Sequence, residues 1–453
     1  MLRNPCRLLA LANILAVLLT ACGGGGSAGD TGTAGAEAGA DAGAVAGRGT
    51  LRTAPRTVGE LDSDVIDTAA AATGLRGLAD RARCDVRIVA LDYNTVGVSS
   101  EPTNATGVLL VPAGDCAGEA HPLVAYARGT NVQKLDTLAA ADDPETLLLA
   151  TFYAAQGYAV VATDYLGYAG STYPYHPYLH ADSEASAVID AIRAARAAAP
   201  DESLRLSGRV MVSGYSQGGH ASAAAQRTME RENAQEFELV AGSHMAGPYN
   251  LSGALREPVA VASYPVFMAF LVTSWQKVYG NLYANASQVF RPPYSDNIDN
   301  LLPSATLTTS TLVSTGALPG GTPAQAREAL LQPAFLSDLL TNDANPVLQA
   351  ARRNDVLGWS PRARTLLCGG SGDPTVPLAT HQAVAAADFA SRGVGTVTAV
   401  DVDPNIRSAF TLDGQAPTDP ESSAYSTYYG NYHAVLQPPF CLARSKALFD
   451  SVR

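Results

Sequence analysis

The residues best suited to chemistry in this chain lie in one run, Val210-Met211-Val212-Ser213-Gly214-Tyr215-Ser216-Gln217-Gly218-Gly219-His220, followed by Ala221-Ser222-Ala223-Ala224. An apolar stretch enters Gly-x-Ser-x-Gly and leaves it through an alanine-rich stretch of helical composition. Strand, sharp turn and helix in that order are the context in which a serine hydroxyl is lifted clear of a sheet as a nucleophile. Glycines at 214 and 218 fit a turn whose backbone segments approach too closely for a Cβ. Ser216 would then stand at the positive N-terminal end of the helix. A serine hydroxyl attacks poorly until a base takes its proton, so acyl transfer by Ser216 requires a histidine and an acid elsewhere.

Behind such an elbow the acid and then the histidine follow in chain order. Of seven histidines, His121 precedes an upstream strand, and His176 and His180 lie in the loop and helix start after Asp164. His220 points along the expected helix, where packing or a local bond accounts for it. His244 ends a strand, and His381 lies in a helix after Val376. His433 alone lies downstream of every core strand, in Asn431-Tyr432-His433-Ala434, and is the expected base. The acid is read from Leu366-Leu367-Cys368-Gly369-Gly370-Ser371-Gly372-Asp373-Pro374-Thr375-Val376-Pro377, where a strand opens into a glycine-rich loop that ends at Asp373. Asp401 and Asp403, after the next strand, are its rivals. The oxyanion needs preorganised N–H donors. One is expected from Gln217, directly after the serine, and the other from Thr130 in Leu123-Val124-Ala125-Tyr126-Ala127-Arg128-Gly129-Thr130, where many hydrolases carry His-Gly instead of Arg-Gly.

Positioning these groups falls to short apolar, β-branched runs bounded by turn residues: Val86–Leu91, Gly107–Val111, Pro122–Ala127, Ala159–Thr163, Val210–Ser213, Leu239–Ser243, Thr365–Cys368 and Thr396–Val400. Helical patterns alternate with them at 144–156, 183–198, 216–232 and 376–390. That alternation predicts an α/β fold with a mostly parallel sheet covered by helices on both faces. The first two strands are joined without a helix, which predicts an antiparallel pair. Between Ser243 and Thr365 no convincing strand occurs, and residues 245–360 are expected to form a helical cap insertion. Residues 61–244 and 361–453 then make the core.

On Ala162-Thr163-Asp164-Tyr165-Leu166-Gly167, Tyr175-His176-Pro177-Tyr178, Gly214-Tyr215-Ser216-Gln217-Gly218-Gly219 and Gly372-Asp373-Pro374-Thr375-Val376-Pro377, the chain resembles the secretory lipase (lipase A-like) family and related bacterial exported esterases of the α/β-hydrolase superfamily. The likeness runs from about Cys84 to Arg453. It implies an α/β-hydrolase fold with a helical cap after the sixth strand, and carboxylic ester hydrolysis through Ser216, Asp373 and His433. In that fold Cys368 would end the strand before the acid, with Cys441 shortly beyond His433. The favoured pairing, of three possible, is therefore Cys84–Cys116 with Cys368–Cys441, clamping the acid loop to the histidine loop.

The N-terminus carries Arg3 and Arg7 and then a predominantly apolar run from Leu8 to Leu19, too short to span a bilayer and read as a signal peptide. It ends in Leu19-Thr20-Ala21-Cys22, a lipobox-like sequence that makes Cys22 a candidate for lipidation once residues 1–21 are removed. Residues 22–60 read as a flexible tether rich in glycine and alanine. Exported disulfides, membrane contact through the lipid alone and a bacterial envelope or secreted location follow from this reading. The net charge of −12 gives no basic face for nucleic acid. No metal or organic cofactor is implied, and the expected partner is a small-molecule or lipid ester. A serine peptidase on the same fold, and a catalytically silent surface-binding lipoprotein, are the alternatives from other classes.

Overall fold

A computed structural model describes residues 47–257 and 261–453. Cys22, the signal segment and most of the expected tether lie outside the described residues. Nine strands form one sheet: β1 (Arg56–Leu61), β2 (Asp85–Val96), β3 (Pro102–Ala113), β4 (Ala120–Ala127), β5 (Ala159–Tyr165), β6 (Arg205–Tyr215), β7 (Glu238–Met245), β8 (Arg364–Gly369) and β9 (Val397–Asp401). Their order is β1-β2-β3-β5-β4-β6-β7-β8-β9. The pairs β1/β2, β2/β3 and β3/β5 are antiparallel, and all the others are parallel. The expected antiparallel start is therefore present, as are the eight strands read from the sequence, most of them longer than their apolar centres.

Side chains alternate between the two faces of each strand. Leu123 and Ala125 of β4 enter one core, and Val124 and Tyr126 enter the other. Every residue of β5 is buried, as suits a strand covered on both sides. The helices are α1 (Ser63–Thr73), α2 (Pro144–Phe152), α3 (Ala181–Ala198), α4 (Gln217–Glu232), α5 (Tyr264–Tyr279), α6 (Thr309–Ser314), α7 (Pro323–Leu330), α8 (Pro333–Thr341), α9 (Pro346–Asn354), α10 (Gln382–Ser391), α11 (Asp403–Phe410), α12 (Ser423–Asn431) and α13 (Pro438–Asp450). Helices α3 and α4 cover one face, and their buried alanines let them lie close to each other and to the strands. Helices α1, α2 and α13 cover the other face.

Between β7 and β8 the chain forms α5 to α9 with turns and, among the described residues, no strand of the sheet. Helix α5 is apolar around most of its girth, and it buries Phe270 and Trp275 completely against the core. Burial of a side chain such as Phe270 contributes about 1.5–3 kcal/mol.

Three readings need correction. Strand β1 overlaps the end of the segment read as tether, residues 22–60, where its weak alternation and exposed edge position leave little hydrophobic signal. The chain is attached earlier still, with Arg48 paired to the buried Asp190 at 3.0 Å and Leu51 bridged to Tyr93. Residue 60 is therefore not the start of the body. The helix expected from residue 376 begins only at Gln382, because Val376 gives its N–H to Asp373 and residues 377–381 form a separate turn on the Pro377 carbonyl. Both disulfides pair as expected: Cys84–Cys116 ties the start of β2 to the turn after β3, and Cys368–Cys441 ties β8 to α13.

Candidate active site

Ser216 lies between β6 and α4 with φ 59° and ψ −120°, a conformation that costs a non-glycine residue about 1–3 kcal/mol. The turn is as tight as the motif implies. A Cβ on Gly214 would sit 2.1 Å from the Gly218 carbonyl oxygen, and one on Gly218 would sit 1.8 Å from that of Ala127. No other residue type fits either position. The Ser216 N–H donates to the Met245 carbonyl at 2.9 Å, tying the elbow to the end of β7.

His433 lies in a π-helical turn, Tyr432–Leu436, between α12 and α13, a local bulge of the kind that recurs at functional sites. Its Nε2 is 2.8 Å from Ser216 Oγ, and its Nδ1 is 2.6 Å from Asp373 Oδ2. A carboxylate only accepts, so the proton of the neutral imidazole sits on Nδ1 and the Nε2 lone pair faces the serine hydroxyl. Asp373 is buried. Its Oδ1 accepts from the N–H groups of Thr375 and Val376 at 2.8 and 3.1 Å, and Gln437 Nε2 donates to its Oδ2 at 3.1 Å. The rival acids are used elsewhere. Asp401 accepts the N–H groups of Ser371 and Asp403, and Asp403 accepts the Tyr432 hydroxyl and pairs with Arg407.

Two supports of this line were not anticipated. The Tyr215 hydroxyl donates to the His433 carbonyl at 2.5 Å and accepts from Gln437 Nε2 at 3.0 Å. Burial and the nearby Asp373 charge push the Tyr215 phenol far above its ordinary value, so it remains a donor. Gln437 stands four residues after His433 on one helical face, a spacing that a search around the histidine could have used.

The two residues expected to donate N–H groups, Thr130 and Gln217, line recesses that open on Ser216. Thr130 and Gly129 line a cavity of about 360 Å³ together with Ser216, His433, Glu145 and Val266. Glu145 accepts the Gly129 N–H at 3.0 Å and the Tyr126 hydroxyl at 2.8 Å, and burial raises its carboxyl above the usual range. Arg128, which replaces the more common histidine, is buried beside Asp164 at 3.5 Å and Asp136 at 3.3 Å. Gln217 borders a second, apolar recess of about 120 Å³ that also opens on Ser216, lined by Leu251, Phe267, Met268 and Leu271.

The remaining histidines are buried, and of these His381 lines the apolar recess beside Ser216. Burial pushes His176 and His244 down to about 3 and His180 and His381 down to about 4, which keeps all four neutral. His220, expected to pack or bond locally, is fully buried and bonds Glu184 Oε2 and the Asn354 carbonyl, each at 2.7 Å, in distant parts of the chain.

A secretory lipase family model matches residues 133–313, a span that holds Ser216 and most of the region between β7 and β8. The rice cell wall degrading esterase LipA from Xanthomonas oryzae is 34% identical, with 90% of this chain and all of that one covered at a TM-score of 0.77. The chain belongs to the secretory lipase family. Members of this family are carboxylic ester hydrolases on the α/β-hydrolase fold, and the nine-stranded sheet here is that fold. A crystal structure of Candida antarctica lipase A shares the fold at a TM-score of 0.54 and 16% identity, covering 88% of this chain and 91% of that one. No curated protein sequence matches. Family membership and two disulfides mark the chain as an exported protein. Among the described residues, no helix is long and apolar enough to cross a membrane.

Proposed function

We propose that the protein is a serine esterase that works through an acyl-enzyme on Ser216. The observation that carries this reading is the unbroken hydrogen-bonded line from Ser216 Oγ through His433 to Asp373. His433 Nε2 takes the hydroxyl proton as Oγ attacks the ester carbonyl carbon. The carbonyl electron pair moves onto oxygen, where the N–H groups of Gln217 and Thr130 hold it. When the C–O bond breaks, His433 returns the proton to the departing alcohol. Water then repeats the attack on the acyl-enzyme, with His433 taking its proton and giving it back to Ser216 Oγ as the acid leaves. Asp373 holds the imidazole tautomer throughout and stabilises the imidazolium.

The substrate class is a small-molecule, lipid or polymer-linked ester. The likeness to a cell-wall-degrading esterase supports including the polymers, and the apolar recess beside Ser216 supports an uncharged acyl group. The test is a panel of p-nitrophenyl esters beside aminoacyl anilides. Ester turnover with negligible anilide turnover is the expected result, and a preference for anilides would replace this reading with a peptidase. The finer location is membrane anchoring through a lipid on Cys22, supported by the lipobox-like ending alone. Mass spectrometry of the mature N-terminus should find a lipidated Cys22, and an unmodified terminus elsewhere in residues 23–50 would remove the anchor.

A further inference from the structure

Two motifs that the sequence singled out take no part in the proton relay: Asp164-Tyr165-Leu166-Gly167 and Tyr175-His176-Pro177-Tyr178. The structure packs them together. A Cβ on Gly167, which has φ 79°, would lie 2.3 Å from the Tyr175 carbonyl carbon and 2.5 Å from the His176 nitrogen. Only glycine permits that approach. His176 Nδ1 donates to the Leu166 carbonyl at 2.9 Å, which leaves Nε2 as an acceptor, and the Gln217 side-chain amide donates to it at 2.7 Å. The same amide nitrogen reaches Glu184 Oε1 at 2.7 Å, so the side chain of Gln217 is fixed from two sides. Two residues further on, the Tyr178 hydroxyl is 2.9 Å from Thr130 Oγ1. Burial pushes the Tyr178 phenol well above its ordinary value, which keeps it protonated.

His176 and Tyr178 therefore grip the side chains of Gln217 and Thr130, the two residues expected to supply the oxyanion N–H groups, which line recesses that open on Ser216. Helix α5 holds this segment in turn. Phe270 stacks on Tyr178 with centroids 4.4 Å apart, Trp275 Nε1 donates to the Tyr178 carbonyl at 3.0 Å, and Ser274 bonds both the Tyr178 N–H and the His176 carbonyl. We infer that His176 and Tyr178 are positioning residues. They form a brace from α5 that sets the spacing of the Gln217 and Thr130 N–H groups, and so the stabilisation of the oxyanion. This rests on the serine-esterase reading above.

Oxyanion donors act only when they are preorganised at the distance that the developing charge requires. Loosening one should therefore lower kcat and leave ground-state binding alone. Tyr178→Phe removes the hydroxyl and keeps the ring on Phe270. It is expected to lower kcat on a p-nitrophenyl ester about tenfold, less than the roughly 10²–10³ typical of losing a donor outright, with KM and thermal midpoint little changed. Thr130→Val should act in the same direction, Thr130→Ser should regain much of the loss, and the double variant Tyr178→Phe/Thr130→Val should be no slower than Thr130→Val alone, because both delete one bond. His176→Phe, which releases Gln217, should also act on kcat rather than KM. A Tyr178→Phe or His176→Phe enzyme with undiminished kcat, a loss confined to KM, or full additivity in the double variant would overturn the brace. If Ser216→Ala is inactive in the same assay, that outcome leaves the esterase reading standing. An active Ser216→Ala would remove the esterase reading itself.

Discussion

Ser216→Ala should reduce kcat for ester hydrolysis by about 10⁶-fold, the scale seen when the serine of a hydrogen-bonded serine–histidine–aspartate line is removed. The substitution deletes both the attacking atom and the 2.8 Å partner of His433 Nε2. It leaves the Gln217 and Thr130 N–H groups in place, so a small residual rate over water should remain. Alanine at φ 59° inherits the strain already present at this position, so the thermal midpoint should stay near that of the unaltered protein. Steady-state hydrolysis of a p-nitrophenyl ester, together with labelling by a fluorophosphonate, reads both consequences. Labelling that survives the substitution would show that another residue is the nucleophile.

Asp373→Asn should lower kcat by about 10⁴-fold without unfolding the protein, because it changes one atom that faces the imidazole. The Thr375 and Val376 N–H groups need an acceptor and will hold the amide oxygen on their side, as they now hold Oδ1. The amide nitrogen then points at His433 Nδ1 and donates to it. The ring proton moves to Nε2, which can no longer take the proton of Ser216. The new amide also meets the Gln437 amide, two donors where one acceptor stood. Asp401→Asn, by contrast, touches only the N–H groups of Ser371 and Asp403 and should stay within a few-fold of the unaltered rate. An active Asp373→Asn beside an inactive Asp401→Asn would reassign the acid.

What the sequence made legible follows from how local each constraint is. The elbow could be read because strand, Gly-x-Ser-x-Gly and helix follow one another without a break in the chain, and the central strands because burial on both faces leaves continuous apolar runs. Asp373 and His433 were legible through chain order, once a nucleophile and a strand pattern were in hand. Strand β1 was missed because an exposed edge strand carries few apolar residues, and the alternation that would reveal it is too weak. The grips on the site were missed for another reason. Tyr215 meets His433 across 218 positions, and His220 meets Asn354 across 134. No spacing rule reaches that far. The Tyr-His-Pro-Tyr motif was visible as a word, but its contacts, Gln217 on His176 and Thr130 on Tyr178, lie 41 and 48 positions away in opposite directions.

The bridge from Cys368 to Cys441 closes a loop of 73 residues that contains both Asp373 and His433. Disulfides form in oxidising compartments and are rare in the reducing cytosol. In such a cytosol the acid strand and the histidine segment carry no covalent link to each other. The segments that carry the two partners of Ser216 are therefore tied covalently only in an oxidising compartment.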